Sequence, residues 1–376
     1  MPTHFRPGRL ALAAGVAGAV SFGLAYRFAL QYRRRVGLPH RSAVEGSPSD
    51  FGLRFQPVEI PSGQASLAGW FVPAEGSDGL DPAAHARPAI AIVHGWESNR
   101  GRSVAHVRYL HAAGFHCLVI DVRGHGDNPA EELPVNVPEF GEDAAAAARW
   151  LAARPDVSGV GLLGHSMGGA GAIVAAAAEP SVRAVVALSS PADLVRMTRR
   201  TFEMAELGIP GMIATPLAYL TAAVLLVPRR HSIDDASARL AAARYRGPLL
   251  LMHGEDDRGV PVAHLDLIAA AAREARDGRG EAGAPVETMI VPGYGHRWLF
   301  EDAEVRRRTA SFFARALDGS LDPVTAGELA AACIVERPEN PVYGFGAVGT
   351  SVAAEAEARE KARSQARAGT RPAARN

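Results

Sequence analysis

Ser166 stands in the run Gly164-His165-Ser166-Met167-Gly168-Gly169. Before it lies an apolar stretch with the pattern of a buried strand, Gly159 to Leu163, and after it a helix-forming stretch, Met167 to Ala178. A serine bracketed by glycines at a strand-to-helix turn can be held exposed on a sharp bend at the carboxyl end of the strand. Its hydroxyl then sits beside a helix N-terminus, where free N–H groups and partial positive charge stabilise developing negative charge. That is an arrangement for attack on an acyl carbon. A serine that merely caps a helix gives the same local pattern, so its partners decide.

The partners follow in order. His253-Gly254-Glu255-Asp256-Asp257-Arg258-Gly259-Val260-Pro261 comes directly after the apolar run Pro248 to Met252. This puts Asp256 and Asp257 in a loop at the same edge of a sheet, where a carboxylate can orient a histidine. Asp193, just past the run ending at Leu188, is a further acid of the right placement. His296, in Gly293-Tyr294-Gly295-His296, follows the last strand-like run, Val286 to Val291, and of thirteen histidines it alone has that position. Its imidazole would take the Ser166 proton and return one to the leaving group, while the carboxylate fixes the tautomer. His94-Gly95-Trp96 follows the run Ala89 to Val93, and a loop there can aim an amide back toward Ser166. The backbone amides of Trp96 and Met167 are the expected oxyanion donors. The Trp96 side chain is then expected in the substrate pocket, and His94 is expected to pack beneath its loop through hydrogen bonds.

These residues need a scaffold, and the pattern around them supplies one. Short apolar runs at Ala89 to Val93, His116 to Ile120, Gly159 to Leu163, Ala184 to Leu188, Pro248 to Met252 and Val286 to Val291 alternate with helical stretches. Those helical stretches are Arg102 to Ala113, Glu139 to Ala153, Met167 to Ala178, Val262 to Arg276 and Trp298 to Ala316. The alternation predicts an α/β fold with a mostly parallel sheet and helices on both faces. Val58 to Ile60 and Leu67 to Val72, joined around Pro61-Ser62-Gly63, predict an antiparallel start. Between residues 192 and 246 no clear strand occurs, and the apolar stretch Met204 to Val227 is broken by Pro210, Gly211 and Pro216. This predicts an inserted helical cap over the site. Residues 51–320 are the expected globular domain, and 321–376 an extension in part disordered.

The chain has 376 residues, 48% of them hydrophobic, with 40 basic and 40 acidic side chains. A sizeable core is therefore affordable in length, and zero formal charge argues against a nucleic-acid partner. Two cysteines give neither a disulfide framework nor a metal cluster. Leu10 to Tyr26 carries no charge, and apolar residues continue to Leu30 around Arg27. Residues 10–30 thus read as a single-pass membrane segment within residues 1–40, followed by a linker at 41–50. Arg27, Arg33, Arg34, Arg35 and Arg41 outnumber Arg6 and Arg9, which predicts a cytoplasmic main domain. A cleaved export signal is the alternative.

Taken together, the segments HGW, DVRGHGDN, GHSMGG, HGEDDRGVP and GYGH, spread over roughly residues 55 to 317, resemble the α/β-hydrolase superfamily. The resemblance is nearest to small esterases and to relatives of the prolyl oligopeptidase-like group. It implies an α/β-hydrolase fold with a helical cap and cleavage of a small-molecule ester or amide without cofactor or metal. It also favours Asp257 over Asp256 as the acid, because the family places that residue three after the glycine and three before the Val-Pro pair. Asp121-Val122-Arg123-Gly124-His125-Gly126 resembles a structural turn of the same family.

Overall fold

The computed structural model describes residues 7–76, 85–278 and 284–335, with side chains from Gly15 onward. Among these, eight strands form one sheet in the order β1-β2-β4-β3-β5-β6-β7-β8. They are β1 (Gln56–Ser62), β2 (Ala65–Val72), β3 (Arg87–Val93), β4 (His116–Ile120), β5 (Val157–His165), β6 (Val182–Leu188), β7 (Leu249–Gly254) and β8 (Val286–Val291). β2 pairs antiparallel with β1 and β4, and every pair from β4 through β8 is parallel.

The inner strands are apolar at consecutive positions because both faces are covered. In β3, Ala89, Ala91 and Val93 pack to one side while Ile90 and Ile92 pack to the other, the alternation inherent in a pleated strand. On the first face lie α3 (Val137–Ala152), α4 (Met167–Ala178) and α8 (Ala263–Asp277). The second face is covered by α2 (Val104–Ala112), α9 (Ala303–Ala316) and α10 (Pro323–Ala332). The turn after β4 is held by buried charge: Asp121 pairs with Arg100, and Asp143 of α3 binds Arg123 and accepts from Ser62 Oγ at 2.7 Å.

Two helical ends differ from the sequence pattern. The stretch expected as a helix from Trp298 begins instead at Ala303. Trp298 is left-handed at φ 69°, a short 3₁₀ turn follows, and Asp302 caps α9 by accepting from the amides of Glu304 and Val305. Within the region expected as an extension, α10 is capped by Asp322 and buries Ala326 and Ala330. Residues 336–376 lie outside the described part.

Between β6 and β7 the chain forms α5 (Leu194–Met204), α6 (Gly211–Leu226) and α7 (Ala238–Arg244). The N-terminal α1 (Pro7–Val36) packs against α6, and its Phe28 and Tyr32 rings contact Phe202 of α5 at 5.6 and 5.8 Å between centroids. Residues 15 to 24 of α1 are exposed on every side, including Val16, Val20, Phe22 and Leu24, whereas Ala29 is fully buried. Among the described residues, the helix whose length and composition alone would suffice to cross a membrane is Gly211–Arg229, and 39% of it is buried in the protein.

Candidate active site

Ser166 occupies the turn between β5 and α4 with φ 55° and ψ −122°. A non-glycine residue held at positive φ is strained, and such strain persists only where the surroundings enforce it. Here the Ser166 amide donates to Leu188 O of β6 at 2.7 Å, and its carbonyl accepts from Gly169 and Ala170 at 3.0 and 3.1 Å. The tight turn requires Gly168: a Cβ there would stand 2.3 Å from the carbonyl oxygen of His94. That same contact brings the loop after β3 against the start of α4. Gly95 lies so near the serine that a Cβ on it would be 3.3 Å from Ser166 Cβ.

The three side chains singled out in sequence converge from three loops at the carboxyl ends of β5, β7 and β8. His296 Nε2 lies 2.9 Å from Ser166 Oγ, and His296 Nδ1 lies 2.7 Å from Asp257 Oδ2. Since a carboxylate only accepts, Nδ1 carries the proton and Nε2 is left to accept from the serine hydroxyl. The Asp257 side chain is fully buried, and its Oδ1 accepts from the Val260 amide at 2.8 Å. Burial by itself would raise its pKa, but the neighbouring His296 and His253 outweigh burial and hold the carboxyl well below its usual range. Asp193 is elsewhere: it caps α5 and pairs with Arg196. Asp256 donates its amide to Tyr294 O at 2.9 Å, tying the acid loop to the histidine loop.

Two histidines brace this set without having been assigned a role in sequence. His253 Nε2 is 2.7 Å from Val260 O and 3.2 Å from Asp257 Oδ2, so one N–H steadies both the acid and its loop. His165, the residue before the serine, donates from Nε2 to the His296 carbonyl at 2.7 Å. Burial, and then the charge of His296, push the His165 ring down to about 3, which keeps it neutral. Their only sequence signal is adjacency to the motif residues.

His94 packs beneath the loop. Its Nε2 accepts from the Val122 amide at 3.0 Å and its Nδ1 donates to Gly95 O at 2.7 Å, which requires the neutral ring. Burial lowers its pKa to about 4. Trp96 stacks edge-on to His125 at 5.3 Å and forms part of two clefts that meet at Ser166. One, about 740 Å³, runs past Arg102, His106, His165, Trp298 and Phe300. The other, about 1150 Å³, is mainly apolar and runs past Val137, Leu194 and Met197 to Tyr32 and Val36 of α1. Residues 40 to 45 are strapped to the loop after β3. His40 Nδ1 lies 2.8 Å from Glu97 Oε1, and Asn99 Nδ2 donates to Ser42 Oγ and Ala43 O at 3.0 and 2.9 Å. Among the described residues, no group of three or more His, Cys, Asp or Glu side chains is arranged to hold a metal ion.

This sheet, with a serine on the strand-to-helix turn after its central parallel strand, defines the α/β-hydrolase fold. A family model described as serine aminopeptidase, S33, matches residues 84–231. Protein ABHD12B of Homo sapiens is 29% identical over 223 residues, covering 56% of this chain and 56% of that protein, so the chain aligns with little more than half of that relative. A monoacylglycerol lipase of Mycolicibacterium smegmatis is 26% identical over 254 residues, covering 58% of this chain and 84% of the lipase. Among solved structures, an esterase of Pyrococcus furiosus superposes with a TM-score of 0.56 at 20% identity, covering 74% of this chain and 99% of the esterase. The chain has the α/β-hydrolase fold and is similar to hydrolases of that fold, esterases and peptidases among them.

Proposed function

We propose that the protein is a carboxylic-ester hydrolase acting through Ser166, His296 and Asp257, anchored to a membrane by residues 10–30. The observation that carries this reading is one imidazole bonded on its two nitrogens to the serine and to the buried acid, at 2.9 and 2.7 Å. Ser166 Oγ attacks the acyl carbon while its proton passes to His296 Nε2, and Asp257 stabilises the imidazolium so formed. The tetrahedral oxyanion is held by the amides of Trp96 and Met167, the latter at the first position of α4. His296 then protonates the departing alcohol, and a water deprotonated by the same ring releases the acid from the acyl-serine. The steps need no group beyond these side chains and water.

The lipase and esterase among the similar proteins favour ester over amide substrates. The family description favours a peptidase as the second reading, and turnover of matched ester and amide substrates separates the two. Membrane attachment is supported by the exposed apolar residues of α1 and by the arginines 33 to 35 at its C-terminal end. In the test of the catalytic assignment, a fluorophosphonate probe labels the parent protein on Ser166 and leaves Ser166→Ala unlabelled. Unchanged turnover of p-nitrophenyl esters by Ser166→Ala would refute the assignment.

A further inference from the structure

The N-terminal helix is more than an anchor. Its exposed half ends near Leu24, and from Ala25 onward it is laid on the domain, with Ala29 fully buried and Phe28 and Tyr32 against Phe202. Tyr32 and Val36 line the same apolar cleft as Ser166. Just beyond them, Gly37 O accepts from the amide of Val135 at 2.9 Å, and Val135 belongs to the same wall. The second cleft, with Arg102, His106 and Arg297, is the more polar of the two.

We propose that the α1-lined cleft is the acyl site, that its ligand is the hydrocarbon chain of a fatty-acid ester, and that Tyr32 and Val36 set the accepted chain length. The inference rests on the ester-hydrolase reading above and specifies its substrate class. A chain attached at Ser166 runs along Val137, Leu194 and Met197 and reaches α1, and every methylene it buries raises kcat/KM about fourfold until the wall is met. The alcohol leaves through the polar cleft past Trp298. Chain-length preference and membrane attachment therefore reside in one helix, with the exposed half of α1 leading directly to the wall of the pocket.

The test uses the full chain in detergent micelles and an alkyl fluorophosphonate of about twelve carbons carrying a diazirine at the chain end. The phosphorus is attacked by Ser166 with loss of fluoride, and light then inserts the chain end into whatever it touches. Mass spectrometry should place the crosslink within residues 28–36. Crosslinks confined to His106, Trp298 or Phe300 overturn the acyl-site assignment while leaving Ser166 labelled. Absence of Ser166 labelling overturns the ester-hydrolase reading instead. As a second readout, Val36→Trp should cut the ratio of kcat/KM for p-nitrophenyl decanoate over butyrate at least tenfold, whereas Leu24→Trp, on the exposed half of α1, should leave it unchanged. A ratio equal to the parent's in Val36→Trp also overturns the proposal.

Discussion

Acid should unfold this protein well before its carboxylates are protonated, and the reason lies in five buried imidazoles. Burial holds His94, His106 and His264 down at about 4, and His125 and His165 at about 3. In an unfolded chain each ring titrates near 6.5. As pH falls from 6.5 toward 4 the unfolded chain takes up protons that the folded one refuses, so stability drops with pH and levels off only below about 4 to 3. At pH 5 each ring favours unfolding by about 2 kcal/mol. Five rings together approach on the order of 10 kcal/mol, comparable to the whole stability of a typical domain.

His231 and Asp257 do not cancel this slope. His231 is raised by its hydrogen bond to Glu139. Its contribution is complete below the ordinary histidine value and is lost only as pH rises through its folded value, so it is constant across this window. Asp257 has a lowered pKa, and its contribution is retained until pH falls below the ordinary carboxylate range. Urea unfolding followed by the fluorescence of the four tryptophans at pH 8, 6.5, 5.5 and 5 should therefore show a midpoint that falls increasingly steeply as pH drops through 6.5 toward 5. A midpoint unchanged between pH 6.5 and 5 would show that these rings are not held neutral, and the assigned tautomers of His94 and His165 would fail with it.

Three further outcomes follow from the site and its supports. Asp257→Asn places an amide where Nδ1 needs an acceptor, so kcat for ester hydrolysis should fall about 10⁴-fold while fluorophosphonate labelling slows in parallel; a loss under tenfold would remove Asp257 from the set. Gly168→Ala drives a Cβ into the His94 carbonyl, and activity should drop at least a hundredfold even in protein that retains native circular dichroism. Arg123→Met strands the fully buried Asp143 carboxylate and should destabilise the fold by about 3 to 5 kcal/mol, read as a fall of roughly 10 °C in Tm.

Much of the fold was legible because its signals are local. Runs such as Ala89 to Val93 and Leu249 to Met252 are apolar at every position because the strands are covered on both faces, and this leaves a mark in any window of the chain. α10 was less legible. Its buried face is made of Ala326, Gly327 and Ala330, residues too small to give a hydrophobic stripe, and they are buried because α9 lies close. The polar stretch after Arg41 reads as a linker by composition, yet Ser42 and Ala43 are bonded by Asn99 of a distant loop. The bonds to the Ser42 and Ala43 carbonyls use backbone groups and leave no pattern in residue type.

For the site, the sequence by itself determined the nucleophile candidate, the order of its partners and the loops that bear them. Glycine spacing, strand ends and chain order are short-range properties, and a strand-to-helix turn at Ser166 dictates its own residues. Only the tertiary structure decided that Asp257 faces His296 while Asp193 caps a helix, that His253 and His165 brace the set, and that Tyr32 and Val36 of the N-terminal helix line the cleft that holds Ser166. Those contacts join residues as distant in the chain as His165 and His296, 131 positions apart. They depend on where the sheet and the inserted helices bring whole elements together, and no window of sequence contains that geometry.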